Sequence, residues 1–160
     1  PMLTSQAVPI TPQSTASALH DTLARLGAQL LLEALAGVAA GTLAERPQPD
    51  TGITYAAKVE RDEGRIDWQQ PALALERMVR AFDPAPAVWF SCRGERIRVR
   101  AAAVIAATGA PGTVLDAQAT VACGGCQALR LLALQRAGRA AMDAEAFQRG
   151  FPLPVGSVLG

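Results

Sequence analysis

Three arginines alternate with apolar residues in one short segment, where Arg96, Arg98 and Arg100 are separated by Ile97 and Val99. Successive side chains of a β-strand point to opposite faces, so a strand here places the three guanidinium groups on one face. Such a stripe is suited to neutralising the phosphates of a nucleic acid, and each phosphate contact makes the affinity more salt-dependent. The alternative is a solvated strand face on which arginine only maintains solubility.

Further arginines surround this segment. Arg93 precedes a turn predicted at Gly94-Glu95, and Arg130, Arg136 and Arg139 lie in or just after a later predicted strand. Loops at the rim of a small barrel are common places for contacts with backbone phosphates, while ordinary surface arginines are the alternative. Residues 63–160 carry 11 Lys or Arg and 8 Asp or Glu, and all the positive side chains among them are arginine. This part of the chain is therefore mildly basic.

Cys123 and Cys126 enclose Gly124-Gly125 in the spacing of a metal-binding CxxC pair. A structural zinc site needs four ligands, usually from two such pairs, and the remaining candidates are only Cys92 and His20. A hairpin turn centred on the two glycines is the favoured interpretation. We therefore predict no metal site.

The composition offers few residues for catalysis. The chain contains no Asn and a single His, and it has no glycine-rich phosphate loop, no G-x-S-x-G and no H-E-x-x-H motif. We assign no catalytic residue. The three cysteines form no disulfide pattern, and the longest apolar run, 30–40, is too short to span a bilayer. The sequence thus predicts a soluble, cytoplasmic protein.

The first part of the chain predicts a strand and two helices. Residues 4–10 suit a strand, Thr15 is a plausible N-cap, and a helix is expected over 16–26. Gly27 is expected to break that helix, and a second helix is expected over 28–40. These elements look like the end of an α/β domain whose sheet is missing. The first residues resemble the interior of a longer protein, so we expect the natural protein to start upstream.

A Pro-rich and polar segment then separates this part from a second domain. A helix is expected over 71–82, and Asp143 is expected to cap a final helix that ends near Arg149. Several short strands with turn signals between them indicate a small antiparallel barrel. The predicted strands are 87–93, 96–105, 113–115, 120–123 and 127–134.

The order of several short segments resembles methionyl-tRNA formyltransferases over nearly the whole chain. The segments are Pro1-Met2-Leu3, the predicted helices of Leu19–Val38 with Gly41, Thr54-Tyr55-Ala56-Ala57-Lys58, Arg65-Ile66-Asp67-Trp68, Arg80-Ala81-Phe82-Asp83-Pro84-Ala85-Pro86, Ala110-Pro111-Gly112-Thr113-Val114, Val121-Ala122-Cys123-Gly124, Leu132-Ala133-Leu134-Gln135-Arg136-Ala137-Gly138-Arg139-Ala140-Ala141-Met142 and Phe147-Gln148-Arg149-Gly150. No single segment is decisive, but the ordered set is specific.

The resemblance implies an α+β fragment of a larger enzyme. Residues 1–45 resemble the end of a Rossmann-like α/β formyltransferase domain, 46–62 are the linker, and 63–160 resemble an OB-like antiparallel β-barrel domain. Members of this family transfer a formyl group from 10-formyltetrahydrofolate to the methionyl amine of initiator tRNA. Their catalytic Asn, His and Asp have no counterpart here, since His20 lies outside the family's His motif.

The resemblance also implies partners and a binding set. The formyl donor 10-formyltetrahydrofolate is expected to bind mainly to the preceding, N-terminal part of the enzyme, and initiator methionyl-tRNA to contact this part. A cytoplasmic monomer without membrane contact is expected. Alternatives are a sugar-amine formyltransferase and a non-catalytic RNA-binding barrel. The expected tRNA-binding residues are Arg93, Arg96, Arg98, Arg100, Arg130, Arg136, Arg139 and Lys58.

Overall fold

The computed structural model describes all residues, 1–160, and they divide into two compact units, Pro1–Lys58 and Val59–Gly160. The division falls within 46–62, the range assigned to the linker.

The first unit is built on one long helix, α1 (Ala16–Ala39). The predicted N-cap is confirmed, because the Ala18 N–H donates to the Thr15 hydroxyl oxygen at 3.2 Å. The predicted break at Gly27 is wrong. A glycine inside a helix costs only about 1 kcal/mol relative to alanine, and the good helix formers on both sides of Gly27 outweigh that cost.

The remainder of the first unit has little regular structure. The strand predicted over 4–10 is absent, and the only bridge in this unit joins Met2 to Arg46. Only Ala34 is buried on α1. Because α1 is not interrupted at Gly27, the whole helix is long and apolar enough to cross a membrane by length and composition. The prediction that no apolar segment is long enough for this, which considered only 30–40, is therefore wrong. Core helices of soluble proteins pass the same test, and it therefore decides nothing about location.

The second unit is a curled antiparallel sheet with two helices, α2 (Ala72–Ala81) and α3 (Ala144–Gly150), preceded by a 3-10 helix, Arg61–Gly64. The five strands are β1 (Val88–Cys92), β2 (Glu95–Ile105), β3 (Thr120–Ala122), β4 (Ala128–Arg136) and β5 (Met142–Asp143). Their order is β1-β2-β4-β3, and β5 pairs with β4. The expected antiparallel pairing, the α2 helix and the Asp143 cap of α3 are confirmed.

The expected barrel is a half-barrel, because β1 and β3 are not joined by a strand. The predicted strand at 113–115 forms only isolated bridges, Thr113 with Val158 and Val114 with Val121. The last residue of the chain, Gly160, exchanges backbone hydrogen bonds with Ser91 of β1. Irregular segments thus connect the two sheet edges and satisfy backbone groups that an open edge leaves unpaired.

The concave side of the sheet holds the core. Leu75 and Val79 of α2 pack there against Ile97 and Val99 of β2. Trp68, Phe90, Phe147 and Phe151 belong to the same cluster. A fully buried leucine or phenylalanine side chain contributes about 2 kcal/mol, so this cluster fixes which face of β1 and β2 points inward. The other face of these two strands carries Trp89 together with polar and charged residues.

Candidate nucleic-acid interface

The hairpin of β1 and β2 sets the positions of the arginine stripe. Its two-residue turn is Arg93-Gly94, both with left-handed φ angles, 51° and 77°, as a type I′ turn requires. Cys92 and Glu95 are the pair that closes the turn, so the Gly94-Glu95 turn expected from the sequence is one residue too late. The turn fixes the register, and the register decides which side chain of β1 lies beside each arginine.

The outer face of this hairpin brings aromatic and basic side chains together. Trp89 of β1 lies beside Arg98 of β2, and Ser91 lies beside Arg96. Arg96 and Arg98 are exposed, while Ile97 between them is fully buried. The alternation predicted for these two arginines is therefore present. The guanidinium group of neither residue forms an ion pair or donates a hydrogen bond to another residue of the chain.

Arg65 is a third arginine at this face, and it is not among the eight binding residues predicted from the sequence. The Ile66 N–H donates to the Trp89 carbonyl oxygen, which holds this segment along the free edge of β1. Ile66 is buried in the core, so the preceding Arg65 points to the outside. The signal in the sequence was the apolar Ile66 beside an arginine, but only the tertiary pairing with β1 places it near the stripe.

Trp89 is the centre of this group. The guanidinium carbon of Arg96 lies 3.7 Å from the centroid of the Trp89 ring, and that of Arg65 lies 5.9 Å from it. Arginine stacks on aromatic rings through its flat, weakly hydrated guanidinium. We call Arg65, Trp89, Arg96 and Arg98 the Trp89 cluster. It holds three formal positive charges without an acidic partner.

Arg100 departs from the alternation. The β2–β4 register shifts between Val99 and Ala101, which makes Arg100 the unpaired residue of a β-bulge. Its guanidinium pairs with the Asp83 carboxylate at 2.8 Å and donates to the Pro84 carbonyl oxygen at 3.4 Å. The bulge therefore directs Arg100 to the segment after α2 and away from the outer stripe.

Arg136 and Arg93 lie at the turn end of the sheet around Phe151. Both guanidinium groups contact this ring, with distances to its centroid of 4.9 Å for Arg136 and 5.0 Å for Arg93. Arg136 also donates two hydrogen bonds to the Glu95 carboxylate, at 2.9 and 2.8 Å. Arg93 donates to the Pro152 carbonyl oxygen at 2.8 Å. These two arginines are held by the chain's own groups.

Arg130 is similarly engaged. It donates to the Thr120 hydroxyl at 3.0 Å and pairs with the Asp116 carboxylate at 3.3 Å. Burial alone would raise the pKa of Asp116. Hydrogen bonds from Thr120 and from the Gln118 backbone, together with the Arg130 charge, outweigh that effect and lower the pKa below its ordinary value. Arg130 therefore balances an ionised carboxylate and organises the loop before β3.

The remaining two predicted residues are not members of the Trp89 cluster. Arg139 is exposed in the connection between β4 and β5, where its carbonyl oxygen accepts a hydrogen bond from the Gln135 side chain at 2.8 Å. Lys58 is the last residue of the first unit and is exposed. Of the eight residues predicted to bind tRNA, only Arg96 and Arg98 belong to the cluster.

The CxxC segment forms a tight turn between β3 and β4, as the two glycines predict. Gly124 and Gly125 lie in the turn, where Gly124 bridges to Pro71. Cys123 is buried, and burial raises the pKa of its thiol to about 11. Cys126 is exposed.

Comparison with known proteins places these features in a family. Residues 58–152 match the family model for the formyl transferase, C-terminal domain. The chain belongs to the formyl transferase C-terminal domain family. The match begins at Lys58 and includes every residue of the Trp89 cluster. It also covers all five strands of the curled sheet, so the cluster is carried by the family's own domain.

Relatives of this formyl transferase domain are methionyl-tRNA formyltransferases. The protein from Ruegeria pomeroyi is 45% identical over 159 residues, covering 99% of this chain and 52% of the relative. The protein from Paramagnetospirillum magneticum is 49% identical over 160 residues, again covering 99% of this chain and 52% of the relative. The chain thus spans about half the length of the curated relatives it matches.

Solved structures with a similar fold include HypX from Aquifex aeolicus. A variant of HypX has a TM-score of 0.59 and 22% identity, and the match covers 79% of this chain and 23% of HypX. HypX in complex with tetrahydrofolic acid has a TM-score of 0.57 and the same identity and coverage. At this identity the likeness establishes the fold of the formyl transferase domain and nothing further.

Proposed function

We propose that this chain is the carboxyl-terminal half of a methionyl-tRNA formyltransferase and that its second unit binds initiator tRNA through the Trp89 cluster. The whole enzyme would transfer a formyl group from 10-formyltetrahydrofolate to the methionyl amine of that tRNA. The observation that carries the binding role is that Arg65, Arg96 and Arg98 share one face and have no acidic partner. The names of the relatives support the identity of the enzyme.

The pairing state of each arginine distinguishes binding from structural roles. Arg100, Arg130 and Arg136 already interact with carboxylates of the chain, so a phosphate would have to replace an existing ion pair. The guanidinium groups of the Trp89 cluster have no such competitor. A phosphate that approaches them gains charge-assisted hydrogen bonds and releases counterions, which is the main source of non-specific nucleic-acid affinity.

The formyl donor belongs, in this proposal, to the half of the enzyme that this chain does not span. The chain lacks Asn, and His20 is exposed on α1 with only the neighbouring Asp21 beside it. No set of residues here suits the transfer of a formyl group between two substrates. The 160-residue chain is therefore expected to produce no formylmethionyl-tRNA, and turnover is expected once the preceding half is joined to it.

The exposed apolar side of α1 supports the proposed origin of the first unit. Leu31, Leu35 and Val38 are each more than half exposed, at 59%, 58% and 54%. Three large apolar side chains on one helical face normally pack against another element. We propose that residues 1–45 complete a Rossmann-like α/β domain and that its preceding part covers this face. The same identity implies a cytoplasmic monomer.

Binding of initiator tRNA to the 160-residue chain tests the proposal. Fluorescence anisotropy over a salt series is expected to show affinity that falls as salt rises, and a variant with Arg65, Arg96 and Arg98 changed to Ala is expected to have a slope shallower by about 2 to 3 units. Arg77→Ala is the matched control, because Arg77 is exposed on α2, which packs on the opposite side of the sheet.

Two results would contradict the assignment. Equal slopes for the triple variant and for Arg77→Ala would remove the Trp89 cluster from the interface. Absence of binding at low salt, also after the preceding half is joined, would reject tRNA as the substrate and favour a formyltransferase that acts on an amino sugar.

A further inference from the structure

We propose that Trp89 is a positioning residue, which holds Arg96 and Arg65 as a preformed site for the phosphates of the RNA backbone and is itself closed to RNA bases. This inference rests on the proposed tRNA binding and concerns how that site works. It distinguishes two chemistries that an aromatic ring on a nucleic-acid-binding sheet can serve. One is base stacking, and the other is the orientation of cations.

The geometry places the ring beneath the cations. Trp89 is only 8% exposed, and the Arg96 guanidinium lies over its ring at 3.7 Å, the shortest arginine–ring distance in the chain. Arg65 approaches the same ring at 5.9 Å. Arg98 is the cross-strand neighbour of Trp89, but its guanidinium does not lie over the ring as those of Arg96 and Arg65 do. The ring therefore constrains two of the three cations to different degrees.

A stacked guanidinium is well prepared for phosphate. Stacking uses the flat face of the group, whereas its N–H donors project from the edge and remain free to bind phosphate oxygens. An arginine that is already restrained loses less side-chain freedom when the phosphate arrives. Lysine has the same charge but no flat group, so it can replace the charge of Arg96 and not its orientation.

The same contacts leave no platform for a base. Proteins that bind single strands without sequence preference stack bases on exposed aromatic rings. The outer side of this hairpin offers Trp89 as its aromatic residue, and its ring is largely covered. The neighbouring side chains on this side are Ser91, Arg96 and Arg98, which provide hydrogen-bond donors and charge. The Trp89 cluster is thus suited to phosphates and indifferent to the identity of the bases.

Lysine substitutions in the 160-residue chain test the positioning role. Arg96→Lys is expected to weaken tRNA binding about 3- to 10-fold, the range of a cation–ring contact, while the salt slope stays unchanged because the charge is kept. Arg98→Lys is the comparison within the cluster, and its loss of affinity is expected to be smaller than that of Arg96→Lys, because no ring lies beneath Arg98. Arg77→Lys, exposed on α2 and outside the cluster, is the control whose affinity is expected to stay unchanged. Trp89→Phe keeps a ring under Arg96 and is expected to bind nearly as well as the unmodified chain.

Two homopolymers test whether bases are contacted. Oligo(A) and oligo(U) of equal length are expected to bind with equal affinity, because their backbones are the same. Adenine stacks far better than uracil, so contact between the ring and the bases would favour oligo(A). A clear preference for oligo(A) would show that the ring accepts bases, and the proposal would fall. Equal losses from Arg96→Lys and Arg98→Lys would also overturn it, although tRNA binding itself would stand. If the unmodified chain and its full-length form bind no RNA, the proposed function fails first.

Discussion

Gly124 packs its bare α-carbon against the carbonyl oxygen of Gln69, so closely that a β-carbon at position 124 would overlap that oxygen. The Gly124 N–H also donates to the carbonyl oxygens of Trp68 and Gln70, at 3.0 and 3.1 Å. These contacts attach the β3–β4 turn to the segment that carries Trp68 into the core. Gly124 of the CxxC segment is therefore required for packing.

Gly124→Ala is expected to destabilise the second unit by about 2 to 4 kcal/mol, because the backbone of one segment must move to admit the methyl group. Thermal unfolding followed by circular dichroism should show a midpoint lowered by roughly 8 °C or more. Gly150→Ala is the control, since nothing lies within 4 Å of a β-carbon placed there. A midpoint unchanged by Gly124→Ala would show that the β3–β4 turn can move away from the segment of Gln69 without loss of stability.

Exchanging a free arginine and a paired arginine for alanine should separate binding from stability. Arg98→Ala is expected to weaken tRNA binding several-fold and to leave the unfolding midpoint unchanged, because Arg98 has no ion pair. Arg136→Ala removes the two hydrogen bonds to Glu95 and the contact with Phe151, at an expected cost of about 1 kcal/mol. Parallel anisotropy and urea titrations measure both effects. If Arg136→Ala weakened tRNA binding and Arg98→Ala lowered only the stability, ion pairing within the chain would not distinguish the residues that bind RNA.

The lowered pKa of Asp116 predicts a loss of stability in acid. A carboxyl group with a pKa lower in the folded than in the unfolded state stabilises the protein above its unfolded pKa of about 3.9, and this contribution disappears as the pH falls through the folded pKa. Asp116→Asn is expected to reduce the difference in unfolding free energy between pH 7 and pH 3. Urea unfolding at both pH values measures it, with Asp50→Asn, in the first unit, as the control. An undiminished difference would assign the acid sensitivity to other groups.

The three thiols are expected to react with a maleimide at very different rates in the folded protein. Cys126 is exposed and should react first, whereas Cys123 is buried and its raised pKa, about 11, keeps the thiolate scarce at neutral pH. Burial also raises the pKa of Cys92. Intact-mass analysis should show one rapid addition, which Cys126→Ser abolishes. Rapid addition to the Cys126→Ser variant would show that the turn opens readily.

The apolar side of α1 predicts that the same substitutions destabilise the full-length protein and leave the 160-residue chain unaffected. Leu31→Gln with Leu35→Gln is expected to leave the helical content of the 160-residue chain unchanged, because both side chains are more than half exposed there. In a protein that includes the preceding half, the same changes should lower the unfolding midpoint by burying two amides without partners. Glu33→Gln, on a different side of α1, is the control. An equal unfolding midpoint for the full-length protein with and without the two leucine substitutions would contradict the proposal that this face is covered.

Much of the secondary structure follows from local physical chemistry. Thr15 and Asp143 cap helices because their short side chains accept hydrogen bonds from backbone N–H groups that have no helical partner, and this depends only on the neighbouring residues. The alternation around Ile97 likewise fixes a strand with one buried and one solvated face. The break at Gly27 was predicted wrongly because the cost of one glycine is small beside the propensities of its neighbours.

The sequence by itself determined the antiparallel strands, the capped helices, the family resemblance and the presence of an arginine stripe. Only the tertiary structure decided which arginines are free. Arg100 is diverted to Asp83 by a bulge, and Arg65 is brought beside Trp89 by a bridge between segments distant in sequence. Ion pairs and ring contacts act between residues that share no local pattern. Their partners are therefore fixed by how the sheet curls and which segments lie along its edges.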